Sequence, residues 1–204
     1  MNIIIIGEKY TGKTTLQDEI ANITSFEPIP SWTTRERRPN EIDGVDYHFI
    51  DRKKFTEMNN NNEFVEHVDN YGALYGITKK DFLNDRNHVI VVEMKGLKQI
   101  LDLENAGDIF IVKLSCSCHT QMERMVNRLK LKWTNINLSL SKYNDMIMES
   151  SLLKADYISF KSLYLDSLID MTIDTTNSNS NNITNLAIDV LKEIELQKGV
   201  IKNE

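Results

Sequence analysis

Four consecutive isoleucines, Ile3–Ile6, run without a break into Gly7-Glu8-Lys9-Tyr10-Thr11-Gly12-Lys13-Thr14. An unbroken β-branched run reads as a strand buried on both faces, the kind a parallel sheet makes. Residues 13–22, beyond the loop, carry a helical pattern. A strand handed to a helix through two glycines selects an α/β architecture, and the remaining pattern agrees. Apolar runs at 88–92, 108–114 and 169–173 predict further strands, and helical spacing marks 95–105, 119–131, 139–153 and 183–197. In the last segment Ile183, Leu186, Ala187, Val190, Leu191 and Ile194 recur at three- and four-residue steps, the stripe of an amphipathic helix. The stretch 31–80 is different, rich in Thr, Arg, Asp, Tyr and Gly, with short strands expected near 45–50 and 63–68. It reads as a small mixed insertion on the main sheet. Asn59–Asn62 and Thr175–Asn182 are polar, low-complexity runs that read as surface loops.

The glycine-bearing loop fits G-x-x-x-x-G-K-[ST] in the strand–loop–helix setting that a phosphate cradle requires. Its glycines let the main chain wrap closely, so that N–H groups can point at phosphate oxygens, and the following helix adds partial positive charge. Lys13 supplies a mobile full charge for the β- and γ-phosphates, and the Thr14 hydroxyl is a ligand for Mg2+. Gly7, Glu8, Lys9, Tyr10, Thr11, Gly12, Lys13, Thr14 and Thr15 are therefore the candidate ATP contacts.

Composition narrows the partners. The 204 residues hold 24 Lys+Arg against 30 Asp+Glu, a formal net charge of −6, which argues against a nucleic-acid polymer as ligand. It leaves room for a local cationic pocket. Cys116 and Cys118, one residue apart, are badly placed to bridge each other and too few for a structural zinc site even with His119 beside them. Free thiols in a reducing cytoplasm are expected. No run approaches the roughly 20 apolar residues of a membrane span, and Ile3–Ile6 is too short for a signal segment, so neither membrane nor export is expected.

The cationic pocket has a candidate. Residues 31–49 place Arg35, Arg37 and Arg38 within four positions, beside the Thr33 and Thr34 hydroxyls. The planar fork of arginine suits a phosphate dianion. The segment reads S-x-T-T-R-x-x-R-x-x-E-x-x-G-x-D-Y-x-F and is followed by Glu63-Phe64-Val65-Glu66 and Tyr75-Gly76. This set resembles the acceptor-binding signature of the guanylate kinase family, and with the phosphate loop the match runs well over residues 1–80, weakening through 86–130.

The resemblance implies a P-loop kinase fold: a central parallel sheet flanked by helices, a small mixed α/β acceptor-binding insertion and a helical lid. It implies one domain over 1–204, with core 1–30, 81–118 and 150–204, insertion 31–80 and lid about 119–149. The implied activity is transfer of the ATP γ-phosphoryl group to GMP or dGMP with Mg2+, the oligomeric state being left open. Arg35, Arg38, Tyr47 and Tyr75 would hold the acceptor phosphate, while Ser31 and Glu66 read the guanine edge. A carboxylate suits that task because guanine offers adjacent N1–H and N2–H donors. Glu93 stands where the family places an Asp, to contact the base or organise the magnesium shell. Arg124-Met-Val-Asn-Arg128 resembles the family's R-L-x-x-R, and Lys142 falls where a second lid Arg is usual. Arg124 and Arg128 join the ATP contacts, and Arg128 and Lys142 act as transfer cations with Lys13, Arg35 and Arg38.

Several positions depart from the pattern. Val91 replaces an Asp, Ile77 a small hydroxyl residue, Lys142 an Arg, and Asp174-Thr175 an Asn-Asp pair. Two other readings therefore stand beside the first: a kinase of this fold for another nucleoside monophosphate, and a non-catalytic module gripping a phosphorylated partner. Scaffolding versions of the fold tend to have a degraded phosphate loop, and the intact Gly7, Gly12, Lys13 and Thr14 favour an enzyme.

Overall fold

A computed structural model of the chain describes residues 1–70, 72–133, 166–178 and 182–198. In chain order the elements are β1 (Asn2–Gly7), α1 (Lys13–Ile23), β2 (Glu27–Pro28), β3 (Ser31–Thr33), β4 (Tyr47–Phe49), α2 (Arg52–Asn60), β5 (Phe64–Asn70) and β6 (Ala73–Thr78). They continue with α3 (Lys79–Phe82), β7 (His88–Val91), α4 (Met94–Leu101), β8 (Ile109–Ser115), α5 (Cys118–Trp133), β9 (Met171–Asp174) and α6 (Ile183–Gln197). The expected helix over 139–153 lies outside the described residues.

The main sheet is parallel and flanked by helices, with strand order β2-β7-β1-β8-β9. Its central strand β1 is buried at every position, which is why its isoleucines show no polar alternation. A second sheet of order β4-β3-β6-β5 is built wholly from the 31–80 stretch. Contact density divides the chain into two units, Met1–Ile4 with Ile20–Phe110 and Ile5–Glu19 with Ile111–Glu204.

In the first unit, the small sheet separates packing from display. Helix α2 starts at Asp51, whose carboxylate accepts the Lys54 N–H at 2.7 Å, and buries Phe55 and Met58 one turn apart. These meet Phe64 and the half-buried Trp32, Ile50 and Leu74 to form the small core on one face of the sheet. Cross-strand partners share a face, so Thr33 opposite Tyr75, Val68 opposite Tyr75 and Glu66 opposite Ile77 set out the other face. Helix α4 then packs Met94, Leu97 and Ile100 inward. In the second unit, Ile173 and the α6 residues Ala187, Val190 and Ile194 are buried, the stripe the spacing predicted.

Several expectations need correction. Asn59 and Asn60 are not loop: they close the last turn of α2, because Phe55 and Met58 anchor that helix regardless of its polar end. The 95–105 helix stops at Leu101, and the chain turns through Gly107 at φ 72°. Thr175 is not at the surface but 3% exposed. Cys116 and Cys118 are free thiols, as expected. Among the described residues no helix is long and apolar enough to cross a membrane.

Candidate functional site

The first unit holds a cavity of about 150 Å³ lined by Ser31, Tyr47, Glu66, Tyr75, Val91 and Glu93, with Val68, Asn70 and Val92 completing its wall. Five of these are acceptor-site residues expected from the sequence; β-sheet register gathers four of them, and Glu93 comes from the N-terminus of α4. Ser31 pairs with Tyr47 across β3 and β4, Thr33 with Tyr75 across β3 and β6, and Glu66 with Ile77 across β5 and β6.

Glu66 is the unusual group. It is 4% exposed, and its carboxylate accepts the backbone N–H of Ile77. Burial, relieved only in part by that bond and worsened by Glu93, pushes its pKa up to about 8. Burial thus favours the proton-bearing form of this acid at pH 7. Helix α4 makes room for it at Gly96, where a Cβ would stand 2.3 Å from Glu66 Oε2 and 3.0 Å from Cδ. One turn on, Gln99 Nε2 donates to the His67 carbonyl at 2.8 Å while its Oε1 accepts the His67 N–H at 3.0 Å. That amide clamps the outer edge of β5 next to Glu66. Neither Gly96 nor Gln99 carried a role in the sequence reading; a glycine inside a predicted helix was the available signal for the first.

The arginine cluster is pre-assembled around Glu41. Arg35 donates to both of its carboxylate oxygens, at 2.7 and 3.0 Å, and Arg38 adds its backbone N–H at 2.8 Å and NH1 at 3.2 Å. Partial burial pushes the Glu41 carboxyl up, but the Arg35 fork, the Arg38 N–H and the two positive charges outweigh it and hold the group below the usual carboxylate range. The Arg35 guanidinium also lies 5.2 Å from the Tyr47 ring centre and 5.6 Å from that of Phe49, and Tyr47 meets Tyr75 edge-on at 6.0 Å. Burial first, then the neighbouring Tyr75, raises the Tyr47 pKa, keeping a phenol that can donate to an anion. Glu41 was visible as a letter of the motif; its function as the joint of two guanidinia appears only in three dimensions.

The second unit holds the phosphate loop. Gly7 has φ 153°, and a Cβ there would lie 2.5 Å from the Leu114 carbonyl oxygen, so no larger residue fits. Lys13 Nζ reaches back to donate to the Gly7 and Glu8 carbonyls at 2.6 and 3.0 Å. Thr11 Oγ1 donates to Glu8 O, and Gln121 Nε2 to the Glu8 carboxylate at 2.7 Å and the Lys9 carbonyl at 3.2 Å. Arg124 braces the loop as well: NH1 donates to Tyr10 O at 3.0 Å, and NH2 to Thr175 O at 2.6 Å. The buried Thr175 hydroxyl lies 2.8 Å from Thr11 O, so the segment read as a polar surface loop carries a fixed support of the cradle. Thr14 and Thr15 are exposed at the start of α1. The side chain of Arg128 and all of Lys142 lie outside the described residues.

For a divalent cation the donor chemistry is restrictive. Among the described residues no group of three His, Cys, Asp or Glu could hold a metal. The hydroxyl of Thr14 at the loop's end is a single hard oxygen, which suits Mg2+ shared with phosphate oxygens and water rather than a dedicated protein cage.

Comparison with known proteins follows the same lines. A family model described as guanylate kinase matches residues 1–157. A guanylate kinase of Carboxydothermus hydrogenoformans is 32% identical over 169 residues, covering 74% of this chain and 81% of that protein. One from Clostridioides difficile is 29% identical over 160 residues, 76% of each chain. The crystal structure of a guanylate kinase from Anaplasma phagocytophilum superposes with a TM-score of 0.65 at 15% identity, covering 97% of this chain and 85% of that one, a likeness of fold.

Proposed function

Because this chain belongs to the guanylate kinase family, we propose that it transfers the γ-phosphoryl group of ATP to GMP or dGMP, giving ADP and GDP or dGDP. The observation that carries the reading is Glu66, a buried acid at the wall of a cavity shared with Ser31, Tyr47, Tyr75 and Glu93. Guanine presents N1–H and N2–H side by side, and a carboxylate accepts both. To do so Glu66 releases its proton to solvent as the base enters, trading burial cost for two charge-assisted hydrogen bonds.

Arg35 and Arg38, already locked by Glu41, would receive the acceptor phosphate, with Tyr47 and Tyr75 donating phenolic O–H bonds. The attacking phosphate oxygen is anionic as it stands, so no general base is needed. Alignment and neutralisation of spread charge do the rest. Lys13 would exchange its bonds to the loop carbonyls for the β- and γ-phosphate oxygens, and Thr14 would hold Mg2+. When bound, that ion neutralises charge on the phosphate oxygens. Arg128 and Lys142 would add cations from the lid segment, about 119–149, of a single domain with its acceptor insertion at 31–80. The setting is the cytoplasm, where both nucleotides are found.

The test is ADP release, coupled to a dehydrogenase, across GMP, dGMP, AMP, CMP, UMP and TMP. GMP or dGMP should be the preferred acceptor, and Lys13→Met should abolish turnover while leaving the unfolding curve in place. No turnover with any acceptor refutes the enzyme reading; preference for a pyrimidine refutes the role of Glu66.

A further inference from the structure

Asn70 is a polar side chain on the wall of the Glu66 cavity. It lies two and four residues beyond Val68 and Glu66 on β5, and the two-residue period of a strand puts all three on one face. All three line the same cavity. The residue opposite Asn70 on β6 is Ala73, whose methyl leaves its amide room. Among the described residues, that amide makes no side-chain hydrogen bond, although the residue is half-buried.

Position and chemistry restrict what it can meet. Four residues of strand place roughly 13 Å between the Cα atoms of Glu66 and Asn70, too far for both to read one edge of a purine. The phosphate is provided for by cations and phenols grouped around β3, β4 and Glu41. What remains polar in a nucleoside monophosphate is the ribose, whose hydroxyls each donate and accept. A carboxamide does the same, whereas the neighbouring Val68, Val91 and Val92 can do neither.

We propose that Asn70 is a specificity-determining residue that hydrogen-bonds a ribose hydroxyl of the acceptor. The assignment rests on the acceptor reading given above. It makes this chain a discriminator between ribo- and deoxyribonucleotides at a position that packs no part of the core.

Steady-state KM values of wild type and Asn70→Ala for GMP, 2′-deoxy-GMP and 3′-deoxy-GMP, at saturating ATP, test it. The variant should raise the KM for GMP about three- to tenfold, the effect of one neutral hydrogen bond, with the KM for ATP unchanged. It should leave unchanged the KM of whichever deoxy acceptor lacks the contacted hydroxyl. Equal penalties on all three acceptors, or none on any, overturn the proposal. Asn70→Leu, close in volume, serves the same comparison if the alanine variant has a lowered unfolding midpoint. Wild type inactive on every guanine acceptor overturns the acceptor reading too; wild type active, with a uniform variant, overturns Asn70 alone.

Discussion

Replacing Glu66 by Gln should make the protein more stable at neutral and higher pH and a worse enzyme, and pH separates the two causes. The carboxyl of Glu66 has a folded pKa of about 8 against 4.5 for an ordinary solvated glutamate. A folded pKa raised above the unfolded one means that stability is fully present below pH 4.5 and is lost as pH rises toward 8. At about 1.4 kcal/mol per unit, the loss between pH 5 and pH 8 amounts to about 3 kcal/mol. Glutamine keeps an oxygen for the Ile77 N–H and carries no ionisable proton. Its buried NH2 costs about 1–3 kcal/mol where it finds no partner, but that cost does not vary with pH. Urea unfolding of both proteins at pH 5 and pH 8 isolates the ionisation, since every other titrating group is common to the two. The stability gap should shift toward the Gln variant by about 3 kcal/mol over this interval. In the same variant an NH2 would face the guanine N1–H donor to donor, and the KM for GMP should rise roughly a hundredfold. A gap that stays constant from pH 5 to pH 8 would refute the buried-acid account, whatever the kinetics show.

Gly96→Ala gains helix propensity but sets a Cβ 2.3 Å from Glu66 Oε2, so the KM for GMP should rise at least tenfold with the KM for ATP unchanged; equal values in variant and wild type would show that α4 does not position the acid. Glu41→Gln removes the charge shared by Arg35 and Arg38, and roughly a tenfold rise in the KM for GMP is expected from the loss of charge-assisted bonds. The depressed pKa of Glu41 predicts that this variant's stability deficit exists above pH 4.5 and closes as pH falls below it, which unfolding at pH 3.5 and pH 6 would measure.

The parts of the fold legible in the sequence are those decided over a few residues. β1, the phosphate loop and α1 follow from an isoleucine run and two glycines, and α6 from its stripe. Strands β3 and β6 were not expected, because three residues of Ser31-Trp32-Thr33, and a strand interrupted by Gly76, have no period of their own. They exist through the pairing of Thr33 with Tyr75, 42 positions apart (75 − 33). Thr175 failed for the same reason: its hydroxyl partners, Thr11 O and Ser115 O, lie 164 and 60 positions away. The cavity residues were legible as a motif, but the burial that raises the pKa of one of them, Glu66, comes from the fold, which sets Ile77 opposite it and Val68, Val91 and Val92 in the same cavity wall.

Those apolar neighbours include two of the departures from the family pattern, Ile77 and Val91. Ile77 stands opposite Glu66 across β5 and β6 and Val91 lines the same cavity, and an apolar wall favours the proton-bearing form. The consequence reaches base selection. An ionised Glu66 offers two acceptors and fits guanine. A protonated one offers one O–H donor and one acceptor, which matches the N1 acceptor and N6 amino donor of adenine. Above pH 8 the site should therefore reject AMP strongly, and the ratio of kcat/KM for GMP over AMP should fall about tenfold per unit as pH drops from 8 toward 6. A ratio independent of pH across that window would mean that Glu66 binds both bases in one protonation state, and that Ile77 and Val91 have no influence on which nucleotide the cavity accepts.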